Sequence, residues 1–280
     1  MSGLERRTID GFGREWTAFD YARPTPELTE LFDQYFRIFP WDALPAGAEG
    51  FDLGCGTGRW AKLVAPRVGE LTCIDASPAV VAVASRNLAG LPNCRVVTGR
   101  AGELPLPAAS MDFGFALGVL HHLEDPASAL DDAVSKLRPG APFLAYLYYS
   151  LDDRPLHYRL IWRATDVVRR VVSRLPHRPR AVIAQAIALL VYYPLARGAR
   201  RLEAGGRAVD DLPLAQYRHR SLYVMRTDAL DRFGTPVEKR FTREEAAALM
   251  SGAGLERVTV ADSPPYWCVL GLAPSASGGA

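Results

Sequence analysis

Phe51-Asp52-Leu53-Gly54-Cys55-Gly56-Thr57-Gly58 is the stretch on which the fold turns. A short apolar run enters three glycines spaced two apart, and a helical pattern follows over Arg59 to Val68. Glycine lets backbone bend sharply and come close to a ligand, and the amides at a strand-to-helix turn point outward as donors. Downstream the pattern repeats. Glu70 to Ile74 reads as a strand ending at Asp75, Pro78 to Leu88 as a helix, and Cys94 to Thr98 as a third strand. Asp112 to Val119 reads as a fourth strand running out to His121-His122. Pro126 to Leu137 reads as a helix stopped by Arg138-Pro139-Gly140, and Pro142 to Tyr149 as a fifth strand. Strands alternating with helices predict an α/β fold with a parallel sheet, right-handed crossovers, and ligands beyond the carboxyl ends of the strands.

The glycine spacing selects among nucleotide-like ligands. A nicotinamide site uses G-x-G-x-x-G, whose third glycine lets the helix pack closely under a pyrophosphate. Here the position that pattern requires is Arg59, and the glycines form G-x-G-x-G instead. The acid ending the next strand, Asp75, is placed to accept from both hydroxyls of a ribose. A nicotinamide oxidoreductase is therefore the disfavoured alternative.

Further segments agree with the glycine turn in order: Ile74-Asp75-Ala76-Ser77, Gly99 to Pro105 with Leu106-Pro107, Ser110-Met111-Asp112-Phe113, Val119-Leu120-His121-His122-Leu123 and Leu137-Arg138-Pro139-Gly140. This set resembles the core of class I S-adenosylmethionine-dependent methyltransferases of the type 11 kind, over about residues 46–150. The resemblance implies a Rossmann-like, seven-stranded, mostly parallel sheet with helices on both faces. It implies S-adenosyl-L-methionine as cofactor and S-adenosyl-L-homocysteine as product. By the same resemblance Gly54, Cys55, Gly56 and Gly58 line the methionine part, and Asp52 holds the loop or reaches the amino group through water. Asp75 takes the ribose, Ala76 packs on adenine, the Ala101 backbone faces the adenine edge, and Leu117-Gly118 border the sulfonium. Trp16 belongs to an aromatic N-terminal segment that folds over the cofactor or staples onto the sheet. Relatives often carry an acid where this chain has Arg100, and an arginine cannot accept from the adenine amino group.

The rest of the chain divides into zones. Residues 1–45 are aromatic-rich with a helix expected over Pro26 to Phe39, capped by Thr25. Residues 46–150 are the cofactor-binding core. Residues 151–225 read as a helical cap insertion. Residues 226–273 bring a helix opened by the capping box Thr242-Arg243-Glu244-Glu245, then strands over Arg257 to Ala261 and Trp267 to Leu272 that pair antiparallel, and 274–280 are a loose tail. The 280 residues are 49% hydrophobic and 23% charged, enough for a sizeable core without disulfides. The net charge of +2 argues against a surface devoted to nucleic acid. Four cysteines without metal spacing read as reduced thiols, no metal site is expected, and no secretory signal is visible, so a cytoplasmic location is expected.

Residues 151–201 hold eleven arginines, no lysine and three acids, a local balance of +8. The longest apolar stretch, Ala181 to Ala196, is interrupted by Gln185 and Pro194 and falls short of the ~20 residues that span a bilayer. This zone reads as a cap over the active site, as a surface for peripheral contact with anionic membrane, or as a dimer interface, so the chain is expected as a monomer or homodimer. His121 and His122 end the fourth strand at the ligand edge, where one could act as general base. Tyr149, His157 and Tyr217 are candidates for binding substrate. The functional expectation is methyl transfer to a small-molecule or glycan-like acceptor at oxygen. Methylation of a natural product at carbon or nitrogen is the alternative, and a membrane-docking or scaffolding protein without turnover is the rival of another class.

Overall fold

The computed structural model describes residues 3–18, 26–151, 155–264 and 267–275, with backbone alone at 4, 5, 12, 14–18 and 157. The chain falls into two compact units: Met1–Ser150 with Val237–Ala280, and Leu151–Pro236.

The first unit is built on a seven-stranded sheet. Its strands are β1 (Glu49–Leu53), β2 (Glu70–Asp75), β3 (Cys94–Thr98), β4 (Phe113–Leu117), β5 (Pro142–Tyr146), β6 (Glu256–Val260) and β7 (Cys268–Leu272). Their order is β3-β2-β1-β4-β5-β7-β6. The strands from β3 across to β5 pair in parallel, and β7 runs antiparallel to both of its neighbours. The order reverses between β1 and β4, which opens a crevice at their carboxyl ends.

Period-two alternation sends the strand side chains into two cores. Phe51, Leu53, Phe143 and Ala145 join one with Leu130 and Met250, while Phe113, Phe115 and Leu144 join the other with Phe32, Phe36 and Trp60. Across the β1–β4 pair, Gly50 lies opposite Phe113 and Phe51 opposite Gly114. A Cβ on Gly50 would sit 2.1 Å from the Phe113 ring, so each glycine is the hole for the other strand's phenylalanine. Helices cover the sheet: α1 (Gly3–Ala18), α2 (Pro26–Tyr35), α3 (Ala61–Val64), α4 (Pro78–Leu88) and α5 (Pro126–Ser135), the first of them packed on α4. The helix expected over Pro26 to Phe39 ends at Tyr35, and the one expected over Arg59 to Val68 shortens to α3 with a 3-10 turn after it, where Pro66 disfavours a longer helix. The fifth strand stops at Tyr146, where β7 ceases to pair with it.

The second unit is all helical: α6 (Leu156–Val172), α7 (His177–Ile187), α8 (Tyr193–Ala204) and α9 (Leu222–Gly234). It runs to Pro236, beyond the boundary expected at 225, because Met225, Ala229, Leu230 and Phe233 give α9 a buried face that packs with α6 and α7. The apolar stretch interrupted by Pro194 continues as one helix over His177–Ala204. A π turn at Ala188–Tyr192 widens the ladder just ahead of the proline, which lacks an N–H to give. The first unit's last helix is α10 (Arg243–Gly252), and its Thr242–Glu245 capping box forms as the sequence predicts.

Two buried arginines hold the second unit together. Arg169 on α6 donates from Nε to Asp166 Oδ1 at 2.8 Å and from Nη1 to the carbonyls of Thr235 and Pro236 at 3.1 and 3.3 Å. Arg180 on α7 donates to the Gly234 carbonyl at 3.1 Å. Both cations thus sit on the carbonyl end of α9, where the helix dipole favours positive charge. We expect Arg169→Leu to leave Asp166 Oδ1 and these carbonyls buried without their donor, with Arg170 still on Asp166 Oδ2, and to cost about 3 kcal/mol, read as a lower urea midpoint. An unchanged midpoint would show that the α9 cap does not hold the unit.

Candidate functional site

The glycine turn is built from β1 and hung on β2. The amides of Gly54 and Cys55 both donate to the Ile74 carbonyl, at 2.8 and 3.0 Å. Gly54, Gly56 and Gly58 have φ of 72°, 54° and 78°, a region other residues reach only with strain. At Gly54 a Cβ would also lie 2.3 Å from Val119, so the exit of β4 packs where a side chain would stand.

Asp75 ends β2 beside this turn. Its Oδ2 accepts from Gly56 N at 3.2 Å and its Oδ1 from Ser77 N at 2.9 Å. Each oxygen keeps a further acceptor position. Burial pushes its carboxyl up to about 6, against the pull of the Ser77, Gly56 and Ala76 amides. Asp52 is almost fully buried, and its Oδ2 makes no hydrogen bond; neither does the buried hydroxyl of Thr57. Desolvation raises the Asp52 carboxyl well above its usual 3.8, Asp75 adds to this, and Arg59 opposes it.

On the other side of the switch point, β4 runs through Leu117 to Gly118 and a 3-10 turn at Leu120–His122. His121 is 0% exposed and His122 3%. The His121 ring stacks on Tyr148 at 3.8 Å and meets Tyr146 edge-on at 6.1 Å. Neither ring nitrogen of His121 makes a hydrogen bond of proper geometry. Burial holds its conjugate acid well below 6.5, His122 and Arg240 push the same way, and the Tyr146 backbone opposes. His121 is therefore neutral near pH 7. His122 Nδ1 lies 2.8 Å from the Val237 carbonyl, so Nδ1 carries a proton.

A five-residue segment entering from the insertion closes this side of the first unit. Lys239 N donates to His121 O, Phe241 N to Tyr148 O, and Ser150 N to Phe241 O. The Arg240 guanidinium lies 5.3 Å over Tyr148, ion-paired with Glu238 at 2.8 Å. Chain exit and chain return are thus neighbours, which is what lets a whole helical unit be inserted without disturbing the sheet.

The architecture and the turn have known counterparts. Residues 51–145 match the Methyltransf_11 family model, a methyltransferase domain. Residues 51–145 are a class I methyltransferase domain. A probable S-adenosylmethionine-dependent methyltransferase of Mycolicibacterium smegmatis is 35% identical over 99 residues, 35% of this chain and 37% of that protein. A demethylmenaquinone methyltransferase of Staphylococcus aureus is 36% identical over 101 residues, 34% of this chain and 40% of that one. The chain thus spans well under half the length of these curated relatives. A methyltransferase of Aquifex aeolicus, 16% identical with a TM-score of 0.52, covers 93% of this chain and 97% of its own, and shares the fold.

S-adenosylmethionine is the cofactor of this family, and the methyltransferase domain offers groups that fit it. Asp52 Oδ2 and Thr57 Oγ1 are buried polar atoms without a hydrogen-bond partner among the described residues, and Asp75 retains acceptor capacity. The candidate cofactor positions Asp52, Gly54, Cys55, Gly56, Gly58, Asp75 and Ala76 come together around the β1 and β2 ends. Leu117 and Gly118 follow at the end of β4, and Ala101 lies beyond β3, packed against the first core. Arg100, on the expected adenine edge, pairs with Glu103 at 3.9 Å. The Trp16 and His157 side chains lie outside the described residues, as do Thr25, Phe19, Tyr21, Pro265 and Tyr266.

The candidate substrate residues part company. Tyr149 faces away from the histidines and meets Trp267 edge-on at 6.1 Å, and Tyr217 belongs to the second unit, where it packs on Tyr192 at 5.3 Å. The tyrosines beside the histidines are Tyr146 and Tyr148, two apart and therefore on one side of the chain. Strand alternation carries that signal. Glu238 and Arg240, which complete the cluster, carry none, because only the return of the chain from the insertion brings them there.

Gly54→Ala and Gly118→Ala separate strain from crowding. Both positions have positive φ, but a Cβ on Gly118 meets nothing within 4 Å. Gly118→Ala should cost about 1–2 kcal/mol from backbone strain alone. Gly54→Ala should cost more, since Val119 must also move. Thermal melts of the two variants check the ranking, and equal losses would refute it.

Proposed function

We propose that this protein is an S-adenosylmethionine-dependent methyltransferase that moves a methyl group to a small organic acceptor, at an oxygen of a small molecule or glycan-like compound. The observation that carries the reading is the Gly54–Gly58 turn with Asp75 hydrogen-bonded across it. Amides, an acceptor-rich carboxylate and an unsatisfied buried acid meet at the switch point of a methyltransferase sheet. When bound, the cofactor supplies a methyl on a sulfonium, a leaving group so good that positioning the acceptor in line provides most of the catalysis. In this assignment Asp75 accepts from the ribose hydroxyls, Asp52 answers the positive charge of the amino group, and Gly118 lets the backbone border the reacting atoms without a side chain between. His122 takes the proton of the acceptor hydroxyl at Nε2, and His121 with Tyr148 forms the wall behind it.

A second reading, methylation of a quinone-type acceptor, is favoured by one observation: a similar relative is named demethylmenaquinone methyltransferase. Incubation with radiolabelled S-adenosylmethionine and a panel of phenols, sugars and quinones distinguishes the two by the position of the label.

Two further outcomes are expected. Since the carboxyl of Asp75 titrates at about 6 and must be ionised to accept from both hydroxyls, binding below that pH releases a proton. Calorimetric affinity for S-adenosylhomocysteine should be level above pH 7 and fall about tenfold per unit below pH 6. Asp75→Asn should bind more weakly and lose this slope. A level profile in the native protein would remove Asp75 from the ribose.

His122→Asn keeps a donor for the Val237 carbonyl and removes Nε2. Turnover on a hydroxyl acceptor should drop about 10²–10⁴-fold with cofactor affinity retained. Undiminished turnover would dispose of the base.

A further inference from the structure

The second unit wears its apolar residues on the outside. All fifteen large hydrophobic side chains that are exposed among the described residues lie between Leu156 and Tyr223. On α6 the buried positions are Asp166, Arg169, Val172 and Ser173 just beyond it, mostly polar, while Val167 and Val171 are 61% and 57% exposed. The helix over His177–Ala204 repeats the inversion. Its inner face is Arg180, Ala184, Ala188, Tyr192, Ala196 and Ala199, and its outer face carries Val182 and Leu190 at 69% and 76% exposure. This helix is long and apolar enough to cross a membrane, and only 22% of its most apolar window is buried.

A soluble helix normally turns such residues inward, and a patch this extended on a monomer marks an interaction surface. The charges around it name the occupant. Arg163, Arg170, Arg178, Arg200 and Arg201 are exposed on the same helices, and Arg174 is exposed in the turn between them. Asp166 is the sole acid from 155 to 202, and it is buried, held by Arg169 and Arg170. Apart from Arg170, which pairs with Asp166, and Glu203 at the end of the second helix, which pairs with Arg218 and His219, the outer surface of this stretch is therefore apolar and cationic. Two copies of it would oppose like charge, whereas an anionic lipid surface meets both properties at once.

The helices are also held so as to offer one side only. Arg180 ties α7 to Gly234, and Arg197 ties α8 to the carbonyls of Arg218 and Arg220 at 3.0 and 3.1 Å. A helix fastened along one side presents a stripe to lipid and is not surrounded by it.

We propose that the unit Leu151–Pro236 docks in the interface of an anionic membrane, with α6 and the His177–Ala204 helix seating Val167, Val171, Val182 and Leu190 among the acyl chains and arginines at the phosphates. This holds whatever acceptor the core methylates.

The test is flotation of the full chain with phosphatidylcholine vesicles carrying 30% phosphatidylglycerol or none, a composition chosen as about a third anionic. The protein should rise with the anionic vesicles, stay behind with the neutral ones, and be released by high salt. Val167→Asp with Leu190→Asp should abolish flotation, while S-adenosylhomocysteine affinity and the thermal melt show that the fold is kept. Arg163→Gln with Arg174→Gln should weaken partition to anionic vesicles about 25-fold, at roughly fivefold per arginine. Wild-type protein that never floats would overturn the proposal, as would flotation indifferent to both variant pairs. A concentration-dependent dimer in sedimentation velocity, abolished by the aspartates with no vesicle binding, would assign the face to a second copy instead.

Discussion

Everything at the core's ligand edge depends on one carbonyl. Ile74 O receives both Gly54 N and Cys55 N, and this double bond to β2 turns the chain off β1 inside a single residue. Three alternate positions of the turn are glycine, since the backbone is driven to positive φ at each and Val119 fills the space beside Gly54. The same bend brings the Gly56 amide to Asp75, so the acid that ends β2 is part of the turn before it is part of any site. Strand order, loop and carboxylate are thereby one construction, and moving any of them moves the others.

The acids of this site sit at energetic cost. Asp75 and Asp52 are both pushed toward their neutral forms by burial, and Asp52 has no donor for one oxygen. A cationic, hydroxyl-bearing ligand would complete the shell of these acids. His121 is driven to its neutral form by the same desolvation. It is walled by Tyr146, Tyr148 and His122, and remains neutral by burial.

The inserted unit follows a different logic. Its interior is pinned by arginines on backbone carbonyls, by packed alanines and by the buried face of α9, while the large aliphatic side chains of α6 and of the His177–Ala204 helix largely face outward. Three of its arginines, Arg169, Arg180 and Arg197, are thus structural, which separates them from the exposed ones. Charge counting over 151–201 could not make that separation, because composition is silent about which side of a helix a residue occupies once the usual inward rule is broken.

The sequence by itself determined the core. Period-two apolar runs, helix stops and the glycine turn specify a parallel sheet with a ligand edge, since each signal is local and the hydrophobic pattern admits one register. The positions around Gly54–Gly58 and Asp75 were legible for that reason. Tertiary structure alone decided the rest. Glu238 and Arg240 reached the histidines because the insertion returns beside its own exit. The second unit extended through α9 and passed over Pro194 because a π turn and packing on α9 compensate what the proline removes. These outcomes depend on contacts between residues far apart in the chain, and no local pattern encodes which distant partner will be there.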